Sequence, residues 1–346
     1  MAERRWGISL PLTGVPLPAL GAVLAEAEGL GYRDAWTEEV AETDGFLPLA
    51  VAAQATTLRL GTAIINVFTR GPGTLAMGAA AMSELAPGRF CLGVGAGSAP
   101  IVEGWNSGRY ERPLTRVRES VEVLRAALRG ERVSYEGETL TVSGFRLGRP
   151  PAEPPPIYLA ALQPGMLQLA GAIGDGVIFT WLSAEDVRQS ISVVRAAAEA
   201  AGRDPGDVET VARVVMVIDP PSEATAAYAR RLITTYLNVP AYRAFHTWLG
   251  RAEALTPMWQ AWDARDRDGA LAAISESVVT DLVVMGSPEA RRAHIERYFE
   301  AGLDTAVLWF LTTERDPAVA AERIGEDIRA IIPGSLRTSA SILNRR

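Results

Sequence analysis

The sequence predicts an α/β fold, a (β/α)8 TIM barrel with insertions. Three observations lead there. Eight short apolar runs of strand character alternate with helical patterns between residues 6 and 311, which is the order of βα units rather than of a sandwich or a bundle. The runs are almost continuously apolar, as parallel strands covered on both faces must be. Four of them precede the proline cluster at 150–156 and four follow it, so the prolines read as a joint between two halves of one closed barrel. A single domain spanning 1–346 is the expectation.

Taken in order, WGISLPL (6–12) is the first strand and leads into a helix at 16–29, where apolar residues recur every three or four positions. GYRDAWTEEV (31–40) returns a strand, FLPLAVAAQATT (46–57) a helix, and LRLGTAIINVF (58–68) the third strand. The helix at 73–86 carries one charge, Glu84, among Ala, Gly, Met, Leu, Thr and Ser. A helix without a polar face needs cover on all sides, from a second subunit or from an inserted segment of the same chain; a homodimer is the expectation. RFCLGVGAG (89–97) is the fourth strand, TRVRESVEVLRAALRG (115–130) is an amphipathic helix, and RVSYEGETLTVSGFRL (132–147) reads as a hairpin inserted near 131–149. Beyond the prolines come the strand PIYLAAL (156–162), a helix at 164–173, the strand GVIFTWL (176–182), a helix at 184–201 and the strand TVARVVMVID (210–219). A mostly helical stretch follows from 222 to about 300, with an insertion near 222–280, and TAVLWFL (305–311) is the last strand.

Composition narrows the function. With 346 residues, 48% of them apolar, the chain can bury a large core. A net charge of −7, and no basic cluster interleaved with aromatics, argue against nucleic acid as a partner. All 34 cationic side chains are arginine, which excludes a Schiff-base lysine and a lysine on a phosphate; biased codon usage accounts for the absence. Cys91 is the only cysteine, so an intrachain disulfide and four-cysteine metal sites are excluded, and in an apolar strand it is a packing residue. Only His246 and His294 supply imidazole, so no metal site is expected. The apolar run in MAERRWGISLPLTG is too short for a signal peptide, and no segment approaches the ~18 apolar residues of a membrane span. A soluble, cytoplasmic protein acting on a small molecule is the expectation.

RFCLGVGAGSAP (89–100) carries Gly93, Gly95 and Gly97, one position away from a dinucleotide-binding fingerprint. Its context argues against that role. Three strands precede it, Ser98 stands at the third glycine position, and the residues near 115 form an Arg/Glu-rich helix rather than a strand ending in an acid. At the C-terminal end of a barrel strand, glycines instead let backbone approach a ligand and offer N–H groups to anions.

The order RLGT…TRGP…ELAPGRFCLGVGAG…ERPLTRVRE…PPPIYLAAL…GDGVI resembles the bacterial luciferase-like superfamily. Within it, the chain is most similar to the methylenetetrahydromethanopterin reductase-like oxidoreductases that use the deazaflavin coenzyme F420. The resemblance covers residues 5 to about 200 well and 305–311 more loosely; 215–280 is not diagnostic. It implies that the third strand ends in a non-prolyl cis peptide, here Ala63–Ile64, forming a bulge that supports the isoalloxazine-like ring. Asn66 follows, towards the barrel mouth, within reach of ring or substrate. Glu39 and Val40 match a family Asp-His pair, so the carboxylate that contacts the ring persists and the histidine is lost; Glu38 takes that place if the register slips by one. Sugar-phosphate dehydrogenases of the family carry a glutamate where this chain has Ser98, which argues against a sugar phosphate. The resemblance places Gly95, Ala96, Gly97 and Ser98 along the cofactor's linker or phosphate. Ala161, Leu162, Gln163, Gly165 and Met166 match the phosphate loop, where free N–H groups and the dipole of the next helix converge, with Leu162 and Gln163 in place of two glycines. Thr180 matches a further phosphate contact, and Ser183 replaces a lysine of some relatives, which leaves a polyglutamate tail to arginine. Trp105, Asn106 and Tyr110 are expected to wall the pocket, although Trp105 suits packing or an interface equally well.

A deazaflavin carries a hydride at one ring carbon, so the protein has to bind the ring, shield one face and present substrate opposite. The implied activity is an F420-dependent oxidoreductase transferring a hydride between the deazaflavin and a small organic substrate, more readily as a reductase of C=C or C=N bonds. Glu39, Asn66 and Glu103 are the candidate catalytic residues, with Glu39 first as proton donor or acceptor, Glu103 second, and Tyr110 or water behind them. Two other classes compete: an FMN-dependent luciferase-type monooxygenase supplied by a separate flavin reductase, and a non-catalytic cofactor-binding protein. Selectivity for substrate is expected from 220–280, through His246, Trp248, Met258, Trp259 and Trp262, unless these pack helices on the barrel.

Overall fold

In the computed structural model, which describes residues 4–333, all eight apolar runs form strands. They are β1 (Arg5–Leu10), β2 (Asp34–Thr37), β3 (Arg59–Thr62) with its short continuation β4 (Ile65–Asn66), and β5 (Phe90–Gly95). After a hairpin of β6 (Val133–Glu136) and β7 (Thr141–Phe145) come β8 (Ile157–Ala160), β9 (Gly176–Thr180), β10 (Glu209–Val217) and β11 (Thr305–Leu311). The barrel runs β3-β2-β1-β11-β10-β9-β8-β5 and closes by the pairing of β5 with β3. Every pair is parallel. The hairpin forms a separate antiparallel pair.

Helices surround the strands: α1 (Leu17–Gly29), α2 (Leu47–Ala55), α3 (Pro72–Leu85), α4 (Pro113–Leu128), α5 (Pro164–Ile173) and α6 (Ala184–Ala200). The stretch between β10 and β11 holds six: α7 (Glu223–Leu237), α8 (Pro240–Trp248), α9 (Ala252–Asp263), α10 (Arg267–Ala272), α11 (Glu276–Leu282) and α12 (Pro288–Glu300). Three elements went unread in the sequence, one of them a short 3-10 turn at Pro205–Asp207. A π-helical turn, Pro100–Trp105, follows the glycines of β5, and α13 (Pro317–Ala330) follows β11. The signal for α13 was present: Ala320, Ile324 and Ile328 recur every fourth residue and are buried. No helix among the described residues is long and apolar enough to cross a membrane.

The side chains inside the barrel form layers, as strand alternation requires. At the N-terminal end, Arg59 pairs with Asp34 and donates to Glu209 (2.6 Å) and to Thr305 (2.9 Å). Tyr158 donates to the same Glu209 (2.6 Å), and Arg5 pairs with it at 3.1 Å. Burial works to raise the Glu209 carboxyl, but its bonds from Arg59 and Tyr158 outweigh that and hold it below the usual carboxylate range. Above this network lies a plug of Trp36, Cys91, Tyr158, Ile178, Val211 and Val307. The third layer opens at the C-terminal mouth.

The low-charge helix α3 is covered partly from within. Phe145 of the hairpin packs on Gly73, and Phe46 packs on Gly78. Its outer side is bare, with Met77 53% and Leu85 39% exposed.

Candidate active site

The mouth of the barrel has two unlike halves. On the side of β3, β5, β8 and β9 the inner surface is made of Ala63, Ile64, Gly95, Ala160 and Thr180. The Ala63–Ile64 peptide is cis, at the place the resemblance implied. A Cβ on Gly95 would lie 3.1 Å from Ala160 Cβ and from the Ile64 side chain, so the glycine keeps this hollow shallow and open. Asn66 ends β4 at 3% exposure. Its Oδ1 accepts from the Phe68 N–H (2.8 Å), whereas its Nδ2 is buried without a partner. Gly97 lies against that amide at φ +64°, where any Cβ would collide with Nδ2. Thr180 Oγ1 is likewise buried and unpartnered. Buried polar atoms are nearly always hydrogen-bonded, so two orphans beside one hollow mark a place built for a polar ligand.

The phosphate-type loop adjoins this half. Gln163 N-caps α5 without a side-chain cap, its Nε2 donating instead to the Ala241 carbonyl (3.2 Å). The first-turn amides of α5 therefore lack the usual side-chain acceptor and suit an anion. Ala161 N–H is spent on Ile178 O (3.0 Å), and Met166 N–H on Gln163 O (3.0 Å), which leaves Gly165 as the open backbone donor of that turn. Ser183, which replaces the lysine of some relatives, is used by its own chain: it forms a capping box with Asp186 on α6. Arg251 contacts both of them, at 3.0 Å and 2.6 Å.

On the side of β1, β2, β10 and β11 the surface is polar and aromatic. Arg213, on β10 and with a side chain 8% exposed, donates from Nε to Ser9 Oγ (2.9 Å) and from Nη1 to Glu38. Its guanidinium sits 3.6 Å from the centroid of the Trp309 ring. Tyr236 of α7 joins this wall, with ring centroids 4.8 Å from Trp181, 5.9 Å from Trp309 and 6.3 Å from Tyr242. Burial, then the charge of Glu38, push the Glu42 carboxyl upward.

The two adjacent glutamates have opposite fates. Glu39 accepts from Arg70 Nε (3.0 Å) and Nη2 and from the Gly45 N–H (3.2 Å). Arg70 also pairs with Asp44 and covers the Phe46 ring, so Glu39 pins the loop after β2 to the loop after β4. Glu38 is the carboxylate turned to Arg213. The alternative register is thus the one that brings an acid to the inner wall.

The segment after the glycines is more structural than expected. Ser98 O accepts from the N–H groups of Ile101 and Val102 (3.1 and 3.0 Å), starting the π-helical turn. Glu103 accepts from the Tyr110 N–H (3.0 Å), and Asn106 donates to Ile101 O (2.8 Å). Trp105 is 59% exposed. Only Tyr110 reaches the glycine loop, donating to Gly97 O (3.2 Å) and lying against Phe68.

Of the residues expected to select substrate, His246, Met258 and Trp259 are buried packing residues. Trp259 Nε1 donates to Leu237 O (2.9 Å), and Trp248 stacks on Phe245. The partly buried aromatics on the side of Arg213 are Tyr236, Tyr242 and Trp309, which the sequence did not single out; Trp181 is buried behind Tyr236. Arg213 was missed too, although its signal was plain: it is the one charge between Thr210 and Ile218, in an otherwise apolar strand.

The two histidines make a prediction about pH. Burial, helped by Arg251, holds His246 down at about 3; burial, helped by Arg297, holds His294 down at about 4. Unfolded imidazoles take up protons at ~6.5. The unfolded chain therefore binds more protons between these values, and stability falls as pH drops through 6.5 towards 4. The urea midpoint is expected to be lower at pH ~5 than at pH ~7.5, with a shallower fall in His294→Gln. Equal midpoints in the wild type contradict this.

Comparison with known proteins places this geometry. Residues 7–305 match the family model described as luciferase-like monooxygenase. The chain is 27% identical over 285 residues to a 5,10-methylenetetrahydromethanopterin reductase of Methanolobus tindarius, covering 81% of this chain and 86% of that one. It is 33% identical over 217 residues to an F420-dependent glucose-6-phosphate dehydrogenase of Mycolicibacterium fortuitum, covering 58% of this chain and 65% of that one. The solved coenzyme F420-dependent tetrahydromethanopterin reductase from Methanopyrus kandleri superposes with a TM-score of 0.75 at 22% identity, covering 96% of this chain and all of the other (100%).

Proposed function

We propose that this chain, which belongs to the luciferase-like monooxygenase family, is an F420-dependent oxidoreductase acting on a small organic molecule, as a reductase of C=C or C=N bonds. The observation that carries the proposal is the small-residue hollow of Ala63, Ile64, Gly95 and Ala160, with the unpartnered Asn66 Nδ2 and Thr180 Oγ1 at its edge. The names of the relatives, F420-dependent enzymes among them, support the same cofactor. When bound, a deazaflavin supplies the hydride chemistry. The chain does the rest. Ala63, Ile64 and Gly95 give a flat support. Asn66 Nδ2 and Thr180 Oγ1 supply buried polar contacts. Ala96, Gly97 and Ser98 line the linker, and the loop from Ala161 to Met166 takes the phosphate at the α5 N-terminus. The polar wall across the mouth orients substrate, with Glu38 in the place first expected of Glu39. Glu39 and Glu103 hold loops, so proton exchange falls to Glu42 or water at the open mouth. The test is anaerobic: reduced F420 mixed with the enzyme and a panel of enones, imines and quinones is expected to lose its electrons to at least one acceptor. No oxidation of reduced F420 there, together with oxygen consumption in a separate aerobic assay with reduced FMN, would make it a monooxygenase instead.

The bare outer side of α3 and the apolar groove between α1 and α2, lined by Leu17, Val51 and the 56%-exposed Leu47, support a homodimer. Leu47→Glu with Met77→Glu is expected to give a monomer in sedimentation; an unchanged mass rejects this interface.

A further inference from the structure

We propose that Arg213, with Trp309 and the tyrosine pair Tyr236 and Tyr242, forms a subsite for the oxygen of a flat, uncharged, conjugated carbonyl compound. The subsite rests on the oxidoreductase reading of the barrel mouth and names its substrate class.

Arg213 links β10 to Ser9 on β1 and to Glu38 after β2, but it is not the barrel's main polar tie. The network of Arg59, Asp34, Glu209, Arg5 and Thr305 already ties β1, β2, β3, β10 and β11 at the N-terminal end. Arg213 and Glu38 lie at the other end, where barrels carry their chemistry. A buried ion pair is weak evidence for stability, because desolvation offsets its attraction.

Its donors are also unspent. A guanidinium has five N–H groups, and the fold gives partners to Nε, on Ser9, and to Nη1, on Glu38. Nη2 receives none. The plane is fixed by its stacking on Trp309, so the free edge has a defined direction. Around it, Tyr236 meets Trp181, Tyr242 and Trp309, which makes flat apolar walls.

Charge decides the class of ligand. Glu38 already compensates Arg213 in a direct ion pair. The pair is neutral overall, which disfavours a carboxylate. A neutral carbonyl takes a charge-assisted hydrogen bond from Nη2 and brings no charge of its own.

The test uses the full chain without cofactor and reads binding by calorimetry. Three probes of similar size are compared: 2-acetylnaphthalene, 2-ethylnaphthalene, which lacks the oxygen, and 2-naphthoate, which carries a charge. The wild type is expected to bind 2-acetylnaphthalene at least about tenfold more tightly than 2-ethylnaphthalene, and 2-naphthoate no more tightly than the ketone. The double variant Arg213→Met with Glu38→Gln leaves no unpaired carboxylate and should reduce the ketone's preference to within about twofold. Glu38→Gln alone is isosteric and uncovers the charge of Arg213, so its affinity for 2-naphthoate should rise about tenfold. That variant decides the matter if the double one fails to fold. A wild type preferring 2-naphthoate, an unchanged ketone preference in a folded double variant, or no gain of 2-naphthoate in Glu38→Gln overturns the subsite. Because F420 is absent from the cell, failure here is separate from failure to bind the cofactor.

Discussion

Gly95→Val is expected to weaken F420 binding at least about 100-fold while the barrel stays folded. The first added carbon lies 3.1 Å from Ala160 Cβ and from Ile64 Cγ1 and Cδ1. That contact is tight, but Ile64 is a side chain and has room to yield, so overpacking costs on the order of 1–3 kcal/mol. The two γ-methyls then occupy the hollow itself, where a planar ring has no alternative support. Gly93, two residues earlier on the same strand, makes the contrast clear. A Cβ there would overlap the backbone carbonyl oxygen of Thr62, which cannot move without opening the β3–β5 pairing. Gly93 is thus a requirement of the barrel and Gly95 a requirement of the site. Fluorescence titration with F420, alongside circular dichroism, checks the prediction. A folded Gly95→Val protein with wild-type affinity contradicts it.

Arg59→Met is expected to cost ~3–5 kcal/mol of stability, the usual consequence of removing one partner from a buried charge cluster. Asp34 is fully buried at 0% and depends on Arg59, while Glu209 loses its shortest cationic contact. Arg5 remains on Glu209 but does not pair with Asp34. Urea unfolding of the wild type and the variant measures the difference. A loss below about 1 kcal/mol would mean that the network is solvated rather than structural.

The barrel was legible because both faces of each strand are covered. Runs such as FCLGVG and GVIFT therefore show no polar alternation, and their βα spacing admits few other folds. The glycines of β5 were legible for the same reason: so many in one buried strand imply close approach at its end. The acids after β2 were not. Glu38 and Glu39 are adjacent at the end of a strand, and a one-residue change of register exchanges inner wall for outer loop. Only the contacts with Arg213 and Arg70, 175 and 31 residues away along the chain, decide which is which. The aromatic wall was hidden for a different reason. The helices α7 to α9 are rich in large apolar residues, so sequence alone did not separate the partly buried Tyr236 and Tyr242 from the buried Trp259 and Met258 of the same cluster.

Occupancy of the hollow at the mouth by a deazaflavin follows from the proposed function. It is tested most directly by titrating the purified protein with F420 and, separately, with FMN while following its tryptophan fluorescence. Trp309 stands in the wall of the mouth beside Arg213, so occupancy is expected to change its emission. A saturable change is expected with F420 and a much weaker one with FMN. Tight saturation by FMN, with no response to F420, would contradict it.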